Sequence, residues 1–165
     1  MHFILARELW FDNINMDLIV GLPGEDITKV ADIHWTKCRA LGPDSMTVHS
    51  LAVKRAARLN MFKDKYQEMT FENNQEIMDL TMKTAYEMGM GPYYLYRQKN
   101  MKGNFENVGY AKVDKAGIYN ILIMEEKQPI IALGAGGSSK LVFDQRKRIE
   151  RVENVKDVSK LYYPY

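Results

Sequence analysis

Asn15-Met16-Asp17-Leu18-Ile19-Val20-Gly21-Leu22-Pro23-Gly24-Glu25 is the stretch of sequence that decides the fold. Its apolar alternation is typical of a short buried strand, and the glycine-proline turn after it opens a helix. A single carboxylate, Asp17, lies near the carboxyl end of this strand, where α/β sheets and barrels place ligand-binding groups. A parallel strand needs parallel neighbours, and so little chain precedes this one that we expect a segment to be missing upstream.

Composition bounds the class of protein. A chain of 165 residues with 46% hydrophobic residues and a net charge of +2 is typical of one soluble globular domain. No apolar run reaches the roughly 18 residues that a membrane span requires, and the nearly balanced charge argues against nucleic-acid binding. Cys38 is the only cysteine, which excludes an intramolecular disulfide and a cysteine-rich metal site. We therefore expect a cytoplasmic protein with no membrane or nucleic-acid partner.

The first half of the chain alternates helix and strand. The apolar spacing predicts helices over 2–11, 26–41 and 74–88, and strands over 13–20 and 45–51. Asp26 is the expected cap of the second helix, and Gly42-Pro43 is expected to end it. This order is the βα rhythm of a parallel sheet.

Each of these elements has an apolar face. In the first strand, one set of alternate residues suits packing under helices, and the other set would face a barrel interior or a ligand. The second set consists of Asn15, Asp17 and Ile19. The predicted core face of the second helix carries Ile27, Val30, Ala31, His34, Cys38 and Leu41. We interpret His34 as a packing residue.

Beyond Pro92 the sequence favours β-structure. The predicted strands cover 93–97, 118–125, 129–133, 141–143 and 148–152. The stretch Gly134-Ala135-Gly136-Gly137 lacks the Lys-Ser/Thr of a phosphate loop, and we interpret it as a strand-end bulge. The residues alone thus predict an α/β chain: two and a half βα units, followed by a β-rich portion.

Four segments carry a family resemblance when they are taken in order. They are residues 15–24, Thr47-Val48-His49-Ser50-Leu51-Ala52-Val53-Lys54-Arg55-Ala56-Ala57-Arg58-Leu59-Asn60, Tyr93-Tyr94-Leu95-Tyr96-Arg97-Gln98-Lys99-Asn100, and Leu133-Gly134-Ala135-Gly136-Gly137-Ser138. Together they resemble the coproporphyrinogen III dehydrogenase group of radical S-adenosylmethionine (SAM) proteins, the oxygen-independent enzymes of haem synthesis. The first two segments are similar to the fifth and sixth strands of that family, and the last two to its C-terminal elements. The resemblance covers nearly the whole chain.

The resemblance implies a fold and also a departure from the family. The fold would be the C-terminal part of a (β/α)6 partial TIM barrel, with its last two βα units in 1–91 and a β-rich portion in 92–165. The family binds a [4Fe-4S] cluster through three closely spaced cysteines, but this chain has only Cys38. The glycine-rich SAM-binding turn of the family is also absent. We therefore interpret the chain as a fragment, with SAM and the cluster bound in a longer parent and no activity by the fragment alone.

The resemblance also implies contacts with SAM. Asp17 matches the carboxylate that hydrogen-bonds the ribose hydroxyls, and Ile19 would lie against the adenosine. The adenine would pack against the end of the second strand, at His49, Leu51 and Ala52. Each assignment has a plainer alternative: Asp17 as a helix cap or a bond to loop backbone, Ile19 as core, and His49 as a buried, hydrogen-bonded histidine.

Basic residues are candidates for the substrate side. Coproporphyrinogen III carries four propionates, and arginine suits carboxylates because it binds them through two parallel hydrogen bonds. The candidates are the basic residues Arg55, Arg58 and Arg97, together with the neutral Gln98 beside Arg97. The alternative is that these side chains are merely solvated.

Three functions remain open at this point. In the first, the chain is part of an enzyme that decarboxylates propionate side chains oxidatively to vinyl groups. In the second, it belongs to a haem-binding or haem-delivery protein on the same scaffold, and in the third it is a degenerate domain without a ligand. In each case we expect self-association, because a truncated barrel exposes the strand edge at 14–20.

Overall fold

The computed structural model describes residues 2–51, 73–96, 105–144 and 147–162. The chain divides into two compact units, Met1–Gly117 and Ile118–Tyr165. Among the described helices, none is long and apolar enough to cross a membrane.

The first unit is built on a four-stranded mixed sheet. In chain order its elements are α1 (His2–Glu8), β1 (Asn15–Val20), α2 (Ile27–Lys29), a π-helical segment (Val30–Trp35), α3 (Thr36–Leu41), β2 (Ser45–Ser50), α4 (Gln75–Glu87), β3 (Gly91–Tyr96) and β4 (Asn107–Ala111). The strand order is β1-β2-β4-β3. β1 and β2 are parallel, whereas β4 pairs antiparallel with both β2 and β3. The predicted α/β class is confirmed, and the sheet continues past residue 91 because β3 and β4 are added to it.

Local signals set the ends of the helices. The side chain of Asp26 accepts a hydrogen bond from the backbone N–H of Lys29, as expected of an N-cap. Asn74 caps α4 in the same way. Gly42 ends α3 with φ 62°, a left-handed conformation that costs glycine little. The predicted cap and the predicted stop of the second helix are both confirmed.

The core lies between one side of the sheet and the helices. The fully or nearly buried residues of this cluster include Leu18, Val20, Met46, Val48, Val108 and Tyr110 from the strands and Val30, Trp35, Cys38, Ile77 and Ala85 from the helices. The predicted alternation in β1 is therefore confirmed. Burying these apolar side chains is the main driving force for folding of this unit.

The helical face between α2 and α3 differs from the prediction. A π-helical segment shifts the positions that face the sheet, so Trp35 is buried although it was not on the predicted face. Val30 and Cys38 are buried as predicted. The side chain of His34 lies outside the described residues.

The second unit contains α5 (Ile118–Met124), β5 (Ser138–Phe143), β6 (Arg148–Glu153) and α6 (Val158–Tyr162). The predicted hairpin is confirmed, since β5 and β6 form an antiparallel pair. The two strands predicted over 118–125 and 129–133 are wrong. Residues 118–124 form a helix, and Ile130 makes only an isolated bridge with Lys140. The apolar residues Tyr119, Leu122 and Ile123 share a helical face, and this period overrides their β-propensity.

Candidate functional site

One row of residues crosses all four strands of the first unit. Asp17 of β1 is paired with Thr47 of β2, Thr47 with Gly109 of β4, and Gly109 with Tyr94 of β3. Residues paired across a sheet project to the same side. We call the side that carries Asp17, Thr47, His49 and Tyr94 the polar face; the core lies on the opposite side.

Asp17 presents its carboxylate to solvent on the polar face. The side chain is 66% exposed, and its Oδ1 accepts a hydrogen bond of 2.7 Å from Nδ2 of Asn15. Within the described ranges, Oδ2 accepts no hydrogen bond. The alternative role of helix cap belongs to Asp26 instead, since that residue caps α2.

The neighbours of Asp17 on the polar face are Ile19 and His49. Ile19 is 44% exposed and therefore is not core. It is paired with His49, whose side chain is 34% exposed. His49 Nε2 lies 4.0 Å from Asp17 Oδ1, close enough for an ion pair when the imidazole is protonated. The structure thus brings together three of the residues that the sequence singled out.

Of the other predicted site residues, the structure describes only Leu51. Leu51 follows β2, is half-buried, and donates its backbone N–H to the carbonyl of Val20 at 3.0 Å. Five candidates lie outside the described residues: Ala52, Arg55, Arg58, Arg97 and Gln98.

Sequence reasoning missed the contribution of Tyr94 to the polar face. Its hydroxyl donates to Oγ1 of Thr47 at 3.4 Å, and its ring fills the space over Gly109. Burial raises the pKa of the Tyr94 phenol, the bond to Thr47 opposes this, and Tyr93 and the charge of Asp17 raise it further. A glycine inside a strand often marks a close approach, so Gly109 was the signal that could have found this contact.

The residues of this chain do not fit an iron-sulfur cluster. Such a cluster needs several thiolates, but the single cysteine, Cys38, is buried in the core, and burial raises the pKa of its thiol. Among the described residues, no three His, Cys, Asp or Glu side chains are placed to hold a metal ion.

The class of fold follows from comparison with solved structures. The chain is similar to an enzyme described as "Coproporphyrinogen III oxidase (HemN) from Escherichia coli is a Radical SAM enzyme", with a TM-score of 0.62 and 17% identity. The match covers 98% of this chain and 36% of HemN. The fold is therefore that of the C-terminal part of this radical SAM structure.

A curated relative shows which proteins the sequence resembles. The chain is 43% identical over 153 residues to the oxygen-independent coproporphyrinogen-III oxidase-like protein HemZ of Bacillus subtilis (strain 168), a match that covers 93% of this chain and 30% of HemZ. No protein-family model matches the chain. The predicted resemblance is confirmed: the chain is similar to the C-terminal segment of a coproporphyrinogen III oxidase-like protein. It spans about a third of the length of the two proteins it matches.

Proposed function

We propose that this chain forms the part of a coproporphyrinogen III oxidase-like radical SAM protein that holds the nucleoside of SAM. In this proposal, the carboxylate of Asp17 binds the ribose hydroxyls. The observation that carries the proposal is the placement of Asp17: an exposed carboxylate on the polar face, with Oδ2 unbonded within the described part of the chain.

The chemistry of the polar face fits a nucleoside. A ribose offers two neighbouring hydroxyl donors, and an ionised carboxylate is an acceptor that forms charge-assisted hydrogen bonds with them. Ile19 offers exposed apolar surface two positions further along β1, which suits contact with the adenosine. His49, paired with Ile19, and then Leu51 and Ala52 would line the adenine side.

The remaining parts of the proposal concern the intact protein. SAM and a [4Fe-4S] cluster, when bound, supply radical chemistry; the cysteines for that cluster would come from chain beyond this segment. Residues 1–91 would complete the barrel, and 92–165 would form the β-rich portion. Arg55, Arg58, Arg97 and Gln98 are proposed to bind the propionates of coproporphyrinogen III. The segment alone is then inactive, and the cytoplasmic location stays a prediction.

The test compares an intact protein that contains this segment and has the length of the relatives with its Asp17→Asn variant. The amide keeps the shape of the side chain but removes the charge. A hydrogen bond to a charged group contributes about 1.5–3 kcal/mol, so we expect SAM affinity to fall roughly ten- to hundredfold, with little change in melting temperature. Asp32→Asn, at an exposed position of the π-helical segment, is the matched control and should leave affinity unchanged.

Unchanged SAM affinity in Asp17→Asn would overturn the proposal. If the melting temperature falls at the same time, Asp17 is a purely structural residue. A haemin titration of the same protein tests the haem-carrier alternative: tight haemin binding with no SAM binding would replace the proposed function by that one.

A further inference from the structure

Asn15 holds the carboxylate of Asp17 from one side. Its Nδ2 donates the 2.7 Å hydrogen bond to Oδ1 of Asp17. The two residues are two positions apart on β1, so their side chains project to the same face. An exposed carboxylate without such a partner exchanges among side-chain rotamers. This bond therefore restricts the direction in which the second carboxylate oxygen points.

The amide of Asn15 is itself anchored to β2. Its Oδ1 accepts from Oγ of Ser45 at 3.1 Å and from Oγ1 of Thr47 at 3.4 Å. Both hydroxyl residues are buried, and their Cα atoms are paired with those of Asn15 and Asp17. Because an ionised carboxylate only accepts and the hydroxyls here donate, a single orientation of the amide satisfies both sides.

Tyr94 extends this arrangement along the polar face from β3, the strand at the other edge of the sheet. Its ring passes over Gly109 on β4, and its hydroxyl donates to Thr47 on β2. Thr47 thus accepts from Tyr94 while it donates to Asn15. A directed chain of hydrogen bonds runs from Tyr94 through Thr47 and Asn15 to Asp17. Its shortest link, at 2.7 Å, is the last.

We infer that Asn15 is a positioning residue: it orients the Asp17 carboxylate toward the ligand by linking it to β2. This inference rests on the proposed function, because it matters only if Asp17 binds the ribose. The competing role for Asn15 is to satisfy the buried hydroxyls of Ser45 and Thr47 without any effect on Asp17. The two roles differ in whether the effect of Asn15 depends on Asp17.

The test is a double-mutant cycle on SAM binding in an intact protein of the relatives' length that carries this segment. The variants are Asn15→Ala, Asp17→Asn and the two together. We expect Asn15→Ala to weaken SAM binding roughly three- to tenfold when Asp17 is present and less than about twofold when it is already Asn, because coupled residues are non-additive. Equal losses in both backgrounds would overturn the inference, as would no loss from Asn15→Ala when Asp17→Asn itself weakens SAM binding.

A second measurement separates failure of the inference from failure of the proposed function. Three-bond scalar couplings report the χ1 rotamer of Asp17 without any ligand. We expect one dominant rotamer in the unmodified protein and averaging in Asn15→Ala. If χ1 responds in this way but Asp17→Asn leaves SAM affinity unchanged, the proposed function fails and the positioning role stands. If χ1 does not respond, the inference fails.

Two further variants keep the test decisive. Asn13→Ala changes an exposed asparagine just before β1 and should alter neither affinity nor χ1. Asn15→Ser, which keeps an oxygen for the β2 hydroxyls but is too short to span to Asp17, replaces Asn15→Ala if the alanine variant does not fold. The serine variant should reproduce the loss of SAM affinity; full affinity in a folded serine variant would contradict the inference.

Discussion

The ring of Tyr94 occupies the space where any other residue at position 109 would place its side chain. A Cβ on Gly109 would lie 2.0 Å from Cε1 and 2.3 Å from Cδ1 of Tyr94. Carbon atoms that are not bonded to each other do not approach so closely. The missing side chain at Gly109 therefore allows the Tyr94 hydroxyl to reach Thr47 on the polar face.

Gly109→Ala should displace this ring. We expect a loss of about 1–3 kcal/mol in the free energy of unfolding, the usual cost of overpacking, as measured by urea denaturation. In a Tyr94→Ala background the clash is gone. Gly109→Ala should then leave the free energy of unfolding unchanged or raise it, because glycine weakens a strand interior. An equal loss in both backgrounds would show that Tyr94 is not the cause.

Asp44 should make the stability of the first unit sensitive to acid. Its Oδ2 accepts from Nη2 of Arg7 at 2.6 Å and from the backbone N–H of Ile14 at 2.9 Å. Burial raises the pKa of this carboxyl, but the bonds from Ile14 and Arg7, with the charges of Arg7 and Lys112, together lower it below its usual range. Asp44 thus links α1 to the beginnings of β1 and β2.

The sign of the acid effect follows from that lowered pKa. The contribution is fully present above the usual pKa of an aspartate, about 3.9, and is lost as the pH falls through the folded value. Asp44→Asn should cost about 1.5–3 kcal/mol at pH 7 and should flatten the decline in stability below about pH 4. Urea denaturation at several pH values measures both effects. An acid decline in Asp44→Asn as steep as in Asp32→Asn would contradict this assignment.

The isolated chain should bind no iron-sulfur cluster. Three thiolates are needed from one protein, and Cys38 is the only cysteine and is buried. After anaerobic reconstitution and desalting, iron and sulfide analysis should give the same background for the chain and for Cys38→Ala. Stoichiometric iron and sulfide in the unmodified chain would refute this prediction.

The isolated chain should also self-associate. In the described sheet, β1 is an edge strand that pairs only with β2, and unpaired edges template pairing with other chains. Ile19 adds exposed apolar surface on that strand. Ile19→Lys should shift sedimentation profiles toward the monomer, whereas Ile131→Lys, at an exposed apolar residue of the second unit, should not. A monodisperse monomer of the unmodified chain would contradict this prediction.

The parts of the fold that depend on local sequence could be predicted. The alternation in β1 separated buried Leu18 and Val20 from exposed Asp17 and Ile19, and the cap at Asp26 was visible because capping involves residues three apart. Asp17 could be chosen because ligand-binding groups lie at the carboxyl ends of parallel strands, whereas Ile19 and His49 were indicated only by the family resemblance.

Features that depend on distant residues could not be predicted. The contact of Tyr94 with Thr47 and Gly109 requires the strand order of the finished sheet, which sequence spacing does not give. Trp35 entered the core because a π-helical segment changed the helical period. One local feature is also predicted wrongly: β-propensity predicts a strand over 118–125, but the helical spacing of the apolar residues prevails and residues 118–124 form a helix.

The proposed contact between Asp17 and the ribose of SAM can be tested by combining the Asp17→Asn variant with a modified ligand. Two ligands are compared: SAM and an analogue without the 2′- and 3′-hydroxyls. The dissociation constant of each is measured for the intact protein with Asp17 and for its Asp17→Asn variant. We expect that removing the hydroxyls weakens binding roughly ten- to hundredfold when Asp17 is present and less than about threefold in Asp17→Asn. Equal losses in the two proteins would show that Asp17 does not contact the ribose.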